Sequence, residues 1–422
     1  MFPLQKVVQV TVIGKVLKPN KQKILALNSA LDRYFQLVRW YLSFNSTSKM
    51  FLHRNGYEKA KRFNLNTALI QTARDKAVEM LKSFEENKKV GSLLRPNRIS
   101  MRFDRRCYCF YKTSNVLTPY WITLSLKKME RISLPLVFGE RQRLIEEALK
   151  GGLEFAAVEM VKRGYVWYAH LILKKTVELT GDHETVIAID RGERNLAVAV
   201  ALSKSSLKPA KGQFWSGAEI KRIRGLYGHI RRRLEEKKLL GKIKSIKGKE
   251  RRKVNQQLHI MVNQIVKYAK QFPNPVLVME DLRGIRKNFK RSRKLDRRFH
   301  SVPFRKLQTC IEHKANLEGM TVRYLTKEET RNTSKTCHRC GHVAEVKGRI
   351  YRCNNCGMEY DRDLNAAINI AHRLMWSMGW RSSEPLGLVY DGLDVKSPPN
   401  AGSSRLSWSS SQYFTHGKSL EI

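Results

Sequence analysis

Acidic residues are scarce in this chain. Against 81 Lys and Arg, the 422 residues include only 37 Asp and Glu, a formal net charge of +44. A chain this basic repels itself unless it meets a polyanion. An ordinary enzyme of small molecules has no need of that excess, so no small-molecule substrate is expected. The basic residues run along the whole length, so the partner must touch most of the protein. Long apolar runs are missing too. No stretch of about 18 apolar residues appears, which argues against a membrane partner and leaves nucleic acid. The first residues, MFPLQKVVQV, do not have the form of a signal peptide. Cysteine is sparse, with seven in all. Four of them fall in a metal pattern, which points to a reducing compartment. Cys107, Cys109 and Cys310 are read as buried or spare thiols. The 42% hydrophobic fraction is enough for real cores, and the length suggests two to four modules.

The most informative stretch spans residues 332–372, NTSKTCHRCGHVAEVKGRIYRCNNCGMEYDRDLNAAINIAH. Each C-x-x-C places two thiolates on one tight turn. Cys337, Cys340, Cys353 and Cys356 can then surround one tetrahedral Zn²⁺, with Zn–S near ~2.3 Å. Gly341 and Gly357 follow the pairs and suit the turns. Four protein ligands leave no open position, so the zinc is structural. His338 or His342 could replace a thiol. Beyond the cysteines, Asp361 and Asp363 open an apolar-periodic run read as a helix. An Asp at that place is most often only a cap or a dipole partner.

Upstream, residues 7–16 (VVQVTVIGKV) read as a strand. Helices follow at about 21–42 and 66–87. Strand patterns then run over 100–175, interrupted by one helix at about 140–149. This order suggests a barrel interrupted by helices. After a polar linker at 178–184, TVIAIDRGERNLAVAVAL reads as a hairpin whose first strand, buried on both faces, ends in Asp190. A long basic helical stretch at 217–271 is expected to break or weaken near 241–248, with Ile220, Ile223, Leu226, Ile230 and Leu234 on one face. PVLVMEDL is a second buried strand ending in Glu280 and Asp281. The dense basic loop behind it carries Arg283, Arg286, Lys287, Lys290, Arg291, Arg293, Lys294, Arg297 and Arg298, for which phosphate contact is expected. A helix at 304–318 and a strand at 320–326 lead into the zinc segment.

Asp190, Glu280 and Asp363 thus stand at element ends. If the strands are neighbours, these carboxylates converge, and converging carboxylates must bind cations or take up protons. Hard oxygen ligands select Mg²⁺ or Mn²⁺. Two such ions are suited to phosphodiester cleavage.

IAIDRGERNLAVAV, VLVMEDLRGI and YDRDLNAAINIAH, with TSKTCHRCG…CNNCG before the third, resemble the RuvC-type nuclease motifs of TnpB proteins, transposon-encoded relatives of the miniature type V CRISPR effectors. The resemblance is specific over 185–374. It implies that Asp190, Glu280 and Asp363 form a catalytic, Mg²⁺-binding triad and that the four cysteines hold zinc. Because the family's last Asp precedes x-N-A-A, Asp363 is selected over Asp361. Arg191 stands where many relatives have an apolar residue.

The implied fold is multidomain α/β: an RNase H-like RuvC nuclease domain (185–331 and 358–378) with an inserted zinc ribbon (332–357). Before it come a wedge β-barrel (1–20 and 98–177) and a helical recognition lobe (21–97). A disordered tail, rich in Ser, Gly and Pro, is expected over 379–422. The implied activity is RNA-guided cleavage of double-stranded DNA next to a short flanking motif, with a guide RNA from the transposon end, in a prokaryotic cytoplasm. Competing readings are a guided DNA-binding repressor that no longer cuts, a protein-only transposase, and a plain zinc-ribbon binding module. The last leaves Asp190 and Glu280 unexplained.

Overall fold

A computed structural model describes residues 4–87, 94, 96–97, 99–206, 208–210, 212–282, 302–346 and 348–380. The basic loop from Arg283 to Arg298, and all of the expected tail except Gly379 and Trp380, lie outside the described residues. The chain divides into two compact units, one being Val7–Thr176 and the other taking in Val177 onward with the first residues up to Lys6.

The unit Val7–Thr176 is built on a seven-stranded sheet in the order β2-β6-β7-β1-β5-β4-β3. Its strands are β1 (Leu4–Val16), β2 (Met101–Asp104), β3 (Tyr108–Lys112), β4 (Tyr120–Lys127), β5 (Glu130–Phe138), β6 (Glu154–Arg163) and β7 (Val166–Leu179). A period of two sets the inner face, as in β4, where Tyr120, Ile122, Leu124 and Leu126 are buried and their neighbours are half-buried. The two edge strands, β2 and β3, are consecutive in sequence, separated by a turn in which Cys107 N–H donates to Asp104 O at 3.0 Å. That link spans at most about 14 Å, whereas the edges of a flat seven-stranded sheet lie roughly 29 Å apart. The sheet therefore curls into a nearly closed barrel.

Helices α1 (Lys21–Ser43), α2 (Lys49–Ala60) and α3 (Thr67–Asn87) are inserted between β1 and β2, and α4 (Gln142–Leu149) between β5 and β6. Asn20 caps α1 by accepting from Lys23 N–H at 2.9 Å. Helix α2 is absent from the sequence reading. Its apolar stripe is weak, and Gly56 sits mid-helix where a Cβ would meet the Tyr41 and Trp40 rings at 3.1 and 3.3 Å. Tertiary packing, not periodicity, makes this helix.

The second unit holds a five-stranded sheet in the order β10-β9-β8-β11-β12. Strands β8 (Thr185–Asp190), β9 (Asn195–Ser203) and β10 (Gln213–Ser216) form an antiparallel meander, and β11 (Pro275–Glu280) and β12 (Thr321–Leu325) join in parallel. This is the RNase H-like sheet that the resemblance implies, and the fold class is α/β. The central strands are buried on both faces, hence their unbroken apolar runs. Ile187, Ile189, Leu277 and Met279 face a core shared with α5 (Ala218–Glu236), α6 (Leu240–Ala269) and α7 (Phe304–Leu317). Val186, Ala188, Val276 and Val278 face the other way, onto α8 (Arg362–Ser377).

Two details correct the sequence reading. The basic helical stretch does not break at 241–248. It turns at residues 237–239, where Lys238 adopts φ 54°, and α6 runs unbroken through Gly241 and Gly248. A Cβ at Gly241 would meet nothing within 4 Å, so this glycine reflects exposure, not a hinge. Leu226 is also not on the inner face of α5. It is 46% exposed, and Tyr227 is buried in its place beside Ile220 and Ile223. Among the described residues no helix is long and apolar enough to cross a membrane.

Candidate functional site

Parallel pairing fixes the first two acids. Ile189 lies opposite Met279 in the register of β8 and β11, so Asp190 and Glu280 end adjacent strands at the same level. The turn after Asp190 is closed by Gly192 N–H donating to Asn195 O at 2.9 Å. A Cβ at Gly192 would lie 3.0 Å from that oxygen, which is why a glycine stands there. The third acid comes from α8, packed across β8 and β9 through Leu364, Ala367 and Ile368. Asp190, Glu280 and Asp363 all line one open cleft of about 870 Å³, together with Glu193, Lys327 and Arg331.

The two aspartates of α8 divide the work. Buried Asp361 is the N-cap, its Oδ1 accepting from the backbone N–H of Asp363 at 2.9 Å and Leu364 at 3.2 Å. Asp363 is thereby relieved of capping and turns into the cleft. Its Oδ2 accepts from Asn195 Nδ2 at 2.9 Å and from the Arg349 guanidinium.

The electrostatics are those of crowded acids. Burial, and then the nearby charges of Glu280 and Asp363, push Asp190 up to about 8. Burial raises Glu280 as well, against the pull of the Thr333 hydroxyl, 3.2 Å from its Oε1, and of Arg191. Arg191 is itself buried. It donates to Gln308 Oε1 at 2.8 Å and to the backbone carbonyl of Glu280, so it ties the end of β11 to α7. Its charge offsets part of the acidic crowding, a role that its unusual place in the motif did not disclose.

The cysteines form the second cluster. Their four Sγ atoms lie within 4.8 Å of one another, with Cys337–Cys356 at 3.7 Å and Cys340–Cys353 at 3.5 Å. Sulfurs around a tetrahedral zinc stand about 3.8 Å apart, so the donor set fits that ion. The two knuckles repeat one design. Cys337 N–H donates to His342 O at 2.8 Å and Gly341 N–H to Cys337 O at 2.9 Å; Cys353 N–H donates to Met358 O and Gly357 N–H to Cys353 O, both at 2.9 Å. Gly341 and Gly357 take φ 75° and 68°, where a side chain would be strained. Strands β13 (Ile350–Arg352) and β14 (Glu359–Asp361) flank the second knuckle and pair with each other, and Tyr351 is fully buried against the cysteines.

His338 is not a fifth candidate ligand. It is buried against α8, its Nδ1 2.9 Å from Asn365 Oδ1, and it is absent from the donor cluster. His342 is likewise outside that cluster. Among the described residues only the four thiols gather so tightly. The three carboxylates share a cleft.

Several residues that matter here were not singled out from sequence: Asn195, Thr333, Arg349, Asn365 and Asn369. Thr333 and Arg349 bring the cysteine segment to the acids, and the two asparagines fasten that segment to α8. The only sequence signal was their closeness to the motifs.

A family model described as the Cas12f1-like TNB domain matches residues 304–370, from α7 through the cysteine knuckles into α8. A TnpB-like protein of Methanocaldococcus jannaschii is 29% identical over 263 residues, covering 60% of this chain and 90% of that protein. A CRISPR-associated endodeoxyribonuclease, Cas12f2, of a Micrarchaeota archaeon is 27% identical over 234 residues, covering 50% of this chain and 41% of that protein. Among solved structures, Cas12f1 in a complex with sgRNA and target DNA is similar with a TM-score of 0.59, covering 87% of this chain and 99% of that chain. At 14% identity that likeness is one of fold.

Proposed function

The chain belongs to the TnpB family, and from that premise we propose that it is an RNA-guided, Mg²⁺-dependent DNA endonuclease. The observation that carries the reading is the cleft. Asp190 and Glu280 end neighbouring parallel strands at one level, Asp363 faces the same cavity, and burial with mutual repulsion drives Asp190 up to about 8. Such a cluster is held together by divalent cations.

In this reading Asp190, Glu280 and Asp363 hold two Mg²⁺ or Mn²⁺ ions. When bound, the ions supply Lewis acidity at the scissile phosphodiester and an activated water. The chain's own groups keep the acids in place: Asn195 and Arg349 on Asp363, Arg191 on the carbonyl of Glu280. The four cysteines hold one structural Zn²⁺. The guide RNA derives from the transposon end and pairs with one strand of duplex DNA, so base pairing reads the sequence while the protein reads a short flanking motif. The barrel (1–20 and 98–177) and the helical segment (21–97) serve as wedge and recognition lobe; residues 185–331 and 358–378 form the nuclease, and 332–357 the ribbon. The expected place of work is the prokaryotic cytoplasm. The basic loop, residues 283–298, is assigned to phosphate contact on charge alone.

The test is to express the chain with the DNA that flanks its gene, sequence the RNA that co-purifies, and challenge the complex with Mg²⁺ and a plasmid library carrying the matching target. A discrete RNA, with cuts beside one motif, is expected. A discrete RNA with tight target binding and no cuts would instead identify a guided repressor. No enriched RNA would leave a protein-only nuclease or transposase.

A further inference from the structure

The cysteine ribbon is joined to the acidic cleft by a short hydrogen-bonded link, in which the one proton of the Thr333 hydroxyl is shared between a Glu280 oxygen and a backbone carbonyl. Thr333, four residues before the first zinc-binding cysteine, is buried, and its Oγ1 lies 3.2 Å from Glu280 Oε1 and 3.1 Å from Thr330 O. Its own carbonyl accepts from Asn369 Nδ2 at 2.8 Å. The next carbonyl on the same side of the loop, Thr336 O, accepts from Asn369 Nδ2 at 2.7 Å and from Asn365 Nδ2 at 2.8 Å. Asn365 Oδ1 in turn accepts from His338 N–H at 3.1 Å.

Asn365 and Asn369 stand one turn apart on α8, on one face. Asn365 is fully buried and Asn369 is 7% exposed. A buried amide is tolerated only when its groups are paired, and a fully satisfied network fixes one geometry. Here both N–H groups of Asn369 are directed at loop carbonyls. The loop that carries Thr333 therefore has one seat on α8, and it runs directly into the first knuckle. Two residues before Asn365, the same helix carries Asp363. Helix α8 thus sets one acid directly and a second, on a different element, through Thr333.

We propose that Thr333 is a positioning residue of the metal centre: seated by Asn365 and Asn369, it couples the zinc ribbon to the orientation of Glu280 and so sets the affinity of the cleft for divalent cations. The inference rests on the reading of Asp190, Glu280 and Asp363 as metal ligands. Its physical basis is general. A carboxylate that binds a metal must present one oxygen along a set direction, and a donor on its other lone pairs limits the rotamers it visits. Loss of such a partner typically weakens metal binding or activity about 10- to 100-fold.

The test uses the full chain, zinc-replete and free of nucleic acid, with Mn²⁺ as probe. Bound Mn²⁺ is read from the loss of the free-ion EPR signal, and zinc content is measured in the same samples. Thr333→Val keeps the side-chain shape and removes the hydroxyl; Thr333→Ser restores the hydroxyl. Thr333→Val is expected to weaken Mn²⁺ binding at least about 10-fold while retaining zinc, and Thr333→Ser to bind close to wild type. Asn369→Asp, which replaces the donor amide by an acceptor, should weaken Mn²⁺ binding in the same direction. Wild-type Mn²⁺ affinity in Thr333→Val would overturn the inference. So would an equal loss in Thr333→Ser, or a loss of Mn²⁺ that occurs only together with loss of zinc. A wild-type chain that binds no Mn²⁺ would overturn the metal centre itself, and the inference with it.

Discussion

Asp190 carries a sharp energetic conflict. Its carboxyl is half-buried at the end of β8, with two other acids lining the same cleft, and this desolvation and crowding push it up to about 8. An unfolded Asp titrates near ~3.9. Between those values the native state binds more protons than the unfolded state, so stability falls as pH rises. Without Mg²⁺ but with zinc retained, the melting temperature should drop as pH rises from about 5 to about 8. Asp190→Asn should flatten that slope, and added Mg²⁺ should restore stability at the upper end. A melting temperature indifferent to pH and to Mg²⁺ would contradict the burial argument. For activity, Asp190→Ala or Glu280→Ala should lower the cleavage rate by about 10³-fold or more and leave binding of the co-purified RNA nearly unchanged. Equal loss of both would count against the assignment. The positions of these acids could be read from sequence, because an unbroken apolar run that stops at a carboxylate marks the rim of a buried strand. Thr333 could not be read that way. Its partner is 53 residues distant and comes near only through the parallel register and the seat on α8.

At the scale of elements, the ribbon has almost no core of its own. Cys337, Cys353 and Tyr351 are its buried apolar residues among those described, too few to hold a fold without a metal. Cys353→Ser should therefore release zinc, which elemental analysis of the purified chain would show, and should expose residues 332–357 to limited proteolysis. Full zinc content in that variant would rule out the four-thiol site. The five-stranded sheet is stabilised differently. Leu258 of α6 is fully buried in the core beneath β8 and β11. Leu258→Ala should cost about 2–5 kcal/mol, read as a lower urea midpoint. Where the sequence reading failed at this scale, the cause was tertiary. Helix α2 depends on Gly56 fitting against Trp40 and Tyr41. The turn between α5 and α6 falls on Lys238 in a left-handed conformation, which composition does not announce, while the glycines that looked like a break lie in a solvated helix. Elements defined by burial on both faces were legible; those defined by one contact or one dihedral angle were not.

At the scale of the whole molecule, the net charge of +44 decides both what the chain binds and how it behaves alone. Much of it is carried on solvated helix faces. Among the described residues, the exposed or half-buried basic residues of α5 and α6 far outnumber the three ion pairs Lys221–Glu193, Arg222–Glu219 and Arg231–Glu250 that involve these helices. Charges of one sign at this density destabilise the free protein by self-repulsion, and salt screens that repulsion over a Debye length of about 10 Å at 0.1 M. Salt also weakens attraction to a nucleic-acid backbone, because each phosphate neutralised by Lys or Arg releases counterions on binding. The logarithm of affinity should fall with the logarithm of salt at about −0.9 per phosphate contact on duplex DNA and about −0.7 on a single strand. The two effects have opposite signs. Raising salt from about 50 to about 200 mM should lower affinity for duplex by about 10³–10⁵ if six to ten phosphates are engaged, while the melting temperature of the nucleic-acid-free chain rises. Both can be followed on one preparation, by fluorescence anisotropy of a labelled duplex and by thermal unfolding. Affinity that does not respond to salt would mean that the positive charge is not what holds the duplex. A melting temperature that falls with salt would mean that the free chain is stabilised by its charges, against its excess of 81 basic over 37 acidic residues.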